Sequence, residues 1–191
     1  MTNQPFFTTD RDAFIPTDAA RGPWDTNSLH GRVIIGLLAF VIEQRHGADE
    51  FAPADIPVPT DPRLGMNGKW TTRPITGAMG TIGPRRLWLS EVRDLVEGVP
   101  LTPFVRVAVA ADFASPFANA GDQGLGYINS DVTLYLHRLP EKEWIGFEVV
   151  NHHATEGVAI GECFLYDQKG PIGTSTVAAL AQRKRMGQPP P

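Results

Sequence analysis

Cysteine is almost absent: Cys163 is the only one among 191 residues. No disulfide can therefore form within the chain, which favours a reducing compartment. The surrounding "GVAIGECFLYD" is largely apolar and alternating, with no histidine near in sequence. Cys163 reads as a buried structural thiol and not as a nucleophile. Long apolar runs are missing too, so nothing reaches the roughly 20 residues of a membrane-spanning helix. The opening "MTNQPFFTTDRDAF" carries neither the basic nor the apolar region of a signal peptide, and we expect a cytoplasmic protein without a membrane span.

Charge of one sign is not in excess. Seventeen Lys and Arg stand against 21 Asp and Glu, a formal charge of -4, which gives no electrostatic reason to expect nucleic acid as a partner. The basic "RKRMG" near the C-terminus reads as part of a solvated tail. Metal-ligand spacing is lacking as well: His152 and His153 are adjacent on an expected strand and point to opposite faces, so no metal site is expected. The glycine-rich "GDQGLG" opens no helix and lacks the Lys-Ser/Thr ending of a phosphate loop; it reads as a turn, and no cofactor is expected.

What is present is an ordinary globular composition, 42% hydrophobic and 20% charged, enough for one sizeable core. The clearest helix spans about 28–46 within "TNSLHGRVIIGLLAFVIEQRHG", with Asn27 or Ser28 as cap, Arg45 and His46 in the last turn and Gly47 as the stop. Its apolar residues cover most of the circumference, so it should be buried on nearly all sides. A Pro- and Gly-rich stretch follows, from "FAPADIPVPTDPRLGMNGKW" to "ITGAMGTIGP", which offers little strand before Trp70. The helix must therefore find its partner in the C-terminal half or in another subunit.

The C-terminal half is regular. "RRLWLSEVR" alternates as a strand. In "LTPFVRVAVAADFASPF" the propensities also allow a strand, but Thr102 as N-cap, Pro103 at the first helical position and the alanine content favour a helix bent or ended by Pro116. Four alternating strands follow, near 126–138, 143–153, 157–167 and 171–183, divided by "LPEKE", "ATEG" and "DQKG". Strand, helix and antiparallel meander make an α+β hotdog, a sheet wrapped around a central helix. In the first of the four, "YINSDVTLYLHR", strand periodicity puts Ile128, Ser130, Val132, Leu134 and Leu136 on the core face. Asn129, Asp131, Thr133, Tyr135 and His137 form a polar face that is either solvent surface or the wall of a site. Asp112, in "AADFAS", reads as a hydrogen-bonding group at a helix end, and Trp88, Trp144 and Phe147 as core anchors.

"YINSDVTLYLHRLPEKEWIGFEV" followed by "GVAIGECFLYDQKGPIGTSTVAAL" resembles the C-terminal hotdog of bacterial acyl-CoA thioesterase II and its actinobacterial thioesterase-like relatives. "ARGPWDTNSLHGRVIIGLLA" is similar to the start of that family's first hotdog. The resemblance implies one complete hotdog, residues 70–184, preceded by a remnant of a first one and a linker in residues 1–69, with a disordered tail at 185–191. It also implies hydrolysis of acyl-CoA or a related thioester by a water that an Asp, a hydroxyl residue and a Gln orient. On that resemblance Asp131 takes the place of the Asp and Thr155 that of the hydroxyl, with His152 as its alternative, while Ala178 falls where the family has Gln. Asn129 and Tyr135 would line the substrate, and Arg85 and Arg86 in "GPRRLW" could meet CoA phosphates. An incomplete first half implies a homo-oligomer. Two other readings stay open: a weak or inactive acyl-CoA-binding protein, suggested by Ala178, and a structural remnant that dimerises through helix 28–46.

Overall fold

The computed structural model describes residues 4–22, 27–46, 63–64, 70–122 and 124–182. Gly47, most of the Pro- and Gly-rich bridge and the tail 185–191 lie outside the described residues. A hairpin of β1 (Phe7–Asp10) and β2 (Ala13–Pro16) leads through a short 3-10 turn to α1 (Gly31–His46). Then come β3 (Arg63–Leu64), β4 (Trp70–Thr76), β5 (Arg86–Glu91), α2 (Pro103–Ala111) and α3 (Ala114–Asn119). The small pair β6 (Ala120–Gly121) and β7 (Gly124–Leu125) precedes the long meander of β8 (Tyr127–Leu136), β9 (Ile145–Thr155), β10 (Val158–Asp167) and β11 (Gly170–Ala181).

The main sheet has seven antiparallel strands in the order β3-β4-β5-β9-β10-β11-β8. Helices α2 and α3 lie on its inner face, which is the hotdog arrangement expected from the strand-helix-meander order. Thr102 caps α2 as its sequence implied, its hydroxyl accepting from the Val105 N–H at 3.3 Å. The expected single helix breaks at Asp112–Phe113, and Pro116 falls in the first turn of α3, where its missing N–H costs nothing.

Two clusters form the core. Trp70, Leu89, Phe113, Phe117, Phe147, Leu165 and Ile172 fill the space between the sheet and α2–α3. Phe6, Phe7, Val33, Leu95, Val105 and Val109 join the N-terminal segment to the other side of α2. A Cβ on Gly36 would come within 2.2 Å of Val109 Cγ2, so the lack of a side chain there sets how closely α1 and α2 approach. Cys163 is fully buried, as its apolar neighbours implied, and burial pushes its thiol pKa up. Trp88, Trp144 and Phe147 are also buried.

The expectation that α1 is buried on nearly all sides is corrected. Ile34, Leu38 and Ile42, spaced four apart and hence on one stripe, are exposed. Only the stripe facing α2 and the N-terminal hairpin is covered, because among the described residues no strand reaches the opposite side.

Within the stretches that resemble the family, the end of "YINSDVTLYLHR" is tied to the "DQKG" turn. Arg138 at the end of β8 holds Asp167 at the β10–β11 turn with a two-pronged bond, one arm at 2.6 Å. It also donates to the Gly170 carbonyl at 3.1 Å. The same carboxylate accepts the N–H groups of Glu141 and Lys169. This staple joins the ends of β8, β10 and β11, whatever chemistry the sheet supports.

Candidate active site at the junction of α1 and α2

The start of α1 meets the end of α2. Asp112, 3% exposed, is the residue at which α2 ends, and it stops short of α3 with its carboxylate turned toward His30 and Gly31. Asp112 Oδ1 accepts from Asn129 Nδ2 at 2.8 Å, Oδ2 lies 3.5 Å from His30 Nδ1, and the Arg32 backbone N–H donates to that same His30 Nδ1 at 3.4 Å. Gly31 lies against it so closely that a Cβ there would sit 2.9 Å from Oδ1. Two separate segments, the start of α1 and strand β8, thus converge on a carboxylate carried by a third.

Electrostatics here are those of a dry site. Burial pushes the Asp112 pKa up from its ordinary value, and the Asn129 hydrogen bond and the Arg32 charge pull back against that rise. The N-terminal end of the 16-residue helix α1 adds positive backbone dipole at the same point. Beside it, the Arg32 guanidinium is ion-paired with buried Glu91, whose Oε1 also accepts from Val92 and Arg93 backbone N–H groups. Arg32 lies between the rings of Phe6 and Trp70, 4.7 and 4.5 Å from their centroids. Trp70 Nε1 and Arg32 Nε are buried with no acceptor among the described residues. A recess of about 10 Å³ opens against His30, Arg32, Trp70 and Asp112, close to the volume that one water needs. A base with raised proton affinity, a water-sized space and unpaired donors are the parts from which water is activated and an oxyanion held.

The expected site residues are dispersed. The reason for the first difference is a β-bulge: Ala178 pairs with Asp131, but Ala179 pairs with Asn129, so Ser130 is an extra residue in β8. The strand period slips there. Asn129 turns inward to Asp112, Ile128 and Ser130 leave the core face, and Asp131 stays outside, where its Oδ1 accepts from the Ala178 N–H at 3.2 Å. The expectation of Asn129 and Asp131 on one wall is therefore corrected.

His152 lies on the inner face, opposite Gly161, while Asp131 shares an outer row with Ala178, Ile160 and His153. Two strands separate β8 from β9, about 14 Å across the sheet, so Asp131 and His152 are not brought together. Burial, then Arg85 and His153, lower the His152 pKa. Thr155 is exposed at the far end of β9, and Tyr135 is exposed on the outer face.

Arg85 is not at the surface as expected. Its head is buried and donates to the Ala118 and Ala120 carbonyls, both at 3.0 Å, closing the end of α3. Arg86 is half exposed and binds Glu148, which also accepts from Tyr166 Oη at 2.9 Å. Ala178, aligned with the family's Gln, points outward, and fully buried Ala179 is the residue opposite Asn129.

Asp112 was legible as a lone carboxylate in an apolar helix, a position that needs a partner. Its partners His30 and Asn129 come from distant segments, and nothing in their own neighbourhoods points to it. Among the described residues no group of three or more His, Cys, Asp or Glu is placed to hold a metal ion, and no helix is long and apolar enough to cross a membrane.

The family described as "Acyl-CoA thioesterase C-terminal domain" matches residues 48–180. The chain belongs to this family. No curated protein matches it. Two solved structures are similar in fold. A TesB protein from Mycobacterium avium subspecies paratuberculosis matches with a TM-score of 0.51 and 13% identity over 72% of this chain and 57% of its own. Acyl-CoA thioesterase II TesB2 from Mycobacterium marinum matches with a TM-score of 0.50 and 15% identity over 72% of this chain and 58% of its own. The chain thus spans less than three fifths of either relative. His30, Gly31 and Arg32 lie before the matched thioesterase domain, so the junction joins that domain to the segment preceding it.

Proposed function

We propose that the protein hydrolyses an acyl thioester, with acyl-CoA as substrate, and that Asp112 is the general base. A water in the recess gives a proton to the Asp112 carboxylate as its oxygen attacks the thioester carbonyl. The oxyanion that forms is held by donors at the start of α1. Collapse breaks the C–S bond, releases the carboxylic acid and returns the proton to the departing sulfur, so the products are the free acid and CoA. His30 and Asn129 orient the carboxylate, and Asn129 supplies the side-chain amide that Ala178 does not. The observation that carries the reading is the burial of Asp112 at the N-terminal end of α1 with both flanking partners in reach. Membership of the family supports the substrate class. On this reading the start of α1 contributes to the site as well as α2 and the sheet, and the single buried thiol suits the cytoplasm.

A second reading, acyl-CoA binding without turnover, is favoured by the absence of a Gln beside Asp112 among the described residues. Hydrolysis across an acyl-CoA chain-length series separates the two, with wild type, Asp112→Asn and Asp131→Asn compared at matched folding. The proposal expects a loss of about 10²- to 10⁴-fold in Asp112→Asn and near wild-type turnover in Asp131→Asn. Dependence on Asp131 alone would move the base to the outer face; acyl-CoA binding with no turnover in any of the three would leave the binding reading.

A further inference from the structure

Strand β9 outruns its neighbour in the sheet. β5 begins at Arg86, which pairs with Glu148, whereas β9 continues to Thr155. Past the Arg85 carbonyl, which accepts from the Val149 N–H, no strand among the described residues lies on that side of β9. The space left is a groove of about 600 Å³ between the loop 81–85 and β9, and it reaches Ala120 and Gly121 beyond the end of α3.

The groove is amphipathic. Ile82 is 95% exposed and Val150 41%, and Val150 is the extra residue of a bulge in β9, since Asn151 pairs with Glu162 and Val149 with Cys163. With Pro84 they make one wall apolar. The deeper part is cationic. Arg85, 7% exposed, has its guanidinium donors on two carbonyls, and its Nε–H has no acceptor among the described residues. Carbonyls satisfy hydrogen bonds without neutralising the charge, and a buried charge that lacks a counter-ion is costly. Glu148, the carboxylate in the groove wall, is already taken by Arg86 and Tyr166. His152 lines the same space, where burial and then the Arg85 charge lower its pKa. Asn119, next to Ala120 of the wall, is 4% exposed, and neither of its amide atoms is paired among the described residues.

We propose that this groove binds a free carboxylic acid with an apolar tail, its carboxylate at Arg85 Nε and His152 and its tail along Ile82, Pro84 and Val150. The carboxylate supplies the counter-ion that Arg85 lacks, and a charge-assisted bond in a sheltered groove is stronger than one in open water. A singly charged head matches the one unpaired cation, and the apolar wall beside it suits a hydrocarbon tail better than the hydration shell of a phosphate. Asp112 precedes α3 and Ala120 follows it, so this six-residue helix holds the groove roughly 10 Å from the junction of α1 and α2. The two sites are therefore distinct. An acid of this kind is what thioester hydrolysis releases, and that choice of ligand rests on the hydrolytic reading; the uncompensated cation does not.

The test is calorimetric binding of octanoate to the full chain, with the imidazole signals of His152 and His30 followed by NMR. The expected result is saturable binding that shifts the His152 signals and leaves those of His30 in place, with acetate and inorganic phosphate each weaker by about 10-fold or more. Ile82→Glu, at a position the core does not use, should weaken octanoate by about 10-fold with the melting transition unchanged, and His152→Gln by about 3-fold. Arg85→Gln should cost about 10-fold or more; because Arg85 also closes α3, the other two variants decide the matter if this one does not fold. Absence of saturable binding would overturn the proposal. So would phosphate binding as tightly as octanoate, or octanoate that shifts His30 and not His152, which would be product held at the junction. The hydrolytic reading is judged apart from this one: octanoate in the groove of a protein without thioester turnover would keep this site and remove the hydrolysis, and turnover without octanoate binding would do the reverse.

Discussion

The two faces of β8 meet two carboxylates, Asp112 from the end of α2 on the inner side and the strand's own Asp131 on the outer. On the inner face Asn129 delivers its amide to Asp112, which is held dry between two helices. On the outer face Asp131 is exposed and bonded to one backbone N–H of the next strand. Both stretches read as an aspartate near apolar residues, yet their surroundings differ in every respect that governs reactivity: solvation, helix dipole and number of donors. A carboxylate becomes a base through what excludes water from it, not through the motif it sits in.

That contrast can be broken most sharply at the ion pairs behind each face. Arg32→Met strands the Glu91 carboxylate inside the junction and should cost about 3–5 kcal/mol, whereas Arg86→Met, which breaks the half-exposed pair with Glu148, should cost under about 1 kcal/mol. Urea denaturation of the two variants measures the difference; equal costs would mean that the junction is wetter than its burial implies.

A smaller effect follows from removing the amide. Asn129→Ala should lower turnover by about 10-fold, and it should move the acid limb of the pH profile to higher pH, because the Asn129 bond favours the ionised form of Asp112. The neighbouring Ser130→Ala on the bulge should leave the profile where it was. An unshifted acid limb in Asn129→Ala would detach the amide from the titrating group.

Space at the helix start gives a third test. The Cβ of Gly31→Ala would meet Asp112 Oδ1 at 2.9 Å, so the carboxylate must move or the helix must yield. Turnover should fall several-fold while stability drops by about 1 kcal/mol; Gly83→Ala, where no atom crowds the Cβ but φ is positive, should affect stability alone.

The finest test uses linkage. A carboxyl whose folded pKa is raised holds its proton in the folded state to higher pH than in the unfolded chain. Stability then falls as pH rises from the ordinary Asp value of about 3.9 through the folded pKa. Asp112→Asn should therefore melt above wild type at pH 7, with the gap closing as pH falls below the unfolded value. A melting point below wild type at pH 7 would mean that the charge is stabilised by its donors more than burial penalises it.

Much of the architecture was legible. The turns "LPEKE", "ATEG" and "DQKG" bound strands that form at 145–155, 158–167 and 170–181, because period-two alternation and turn residues act over a few neighbours. The Thr102–Pro103 start of α2 was legible for the same reason. The bulge at Ser130 was not. It inserts one residue into a ladder whose partner lies on β11, and nothing in "YINSD" alone distinguishes a bulged phase from a regular one. The exposed stripe of α1 was missed because apolar residues around a helix say that burial is favourable, without saying that a partner is present.

By itself the sequence determined that the four long strands of the meander and the helix after Thr102 would form, that they would make a hotdog sheet around that helix, and that Cys163 would be buried. These depend on local periodicity and on apolar area, which the chain carries wherever it goes. Only the tertiary structure decided which aspartate is dry. His30, Asp112 and Asn129 are brought together by the packing of α1 on α2 and by a one-residue slip of β8, and desolvation depends on what lies on every side of a group at once.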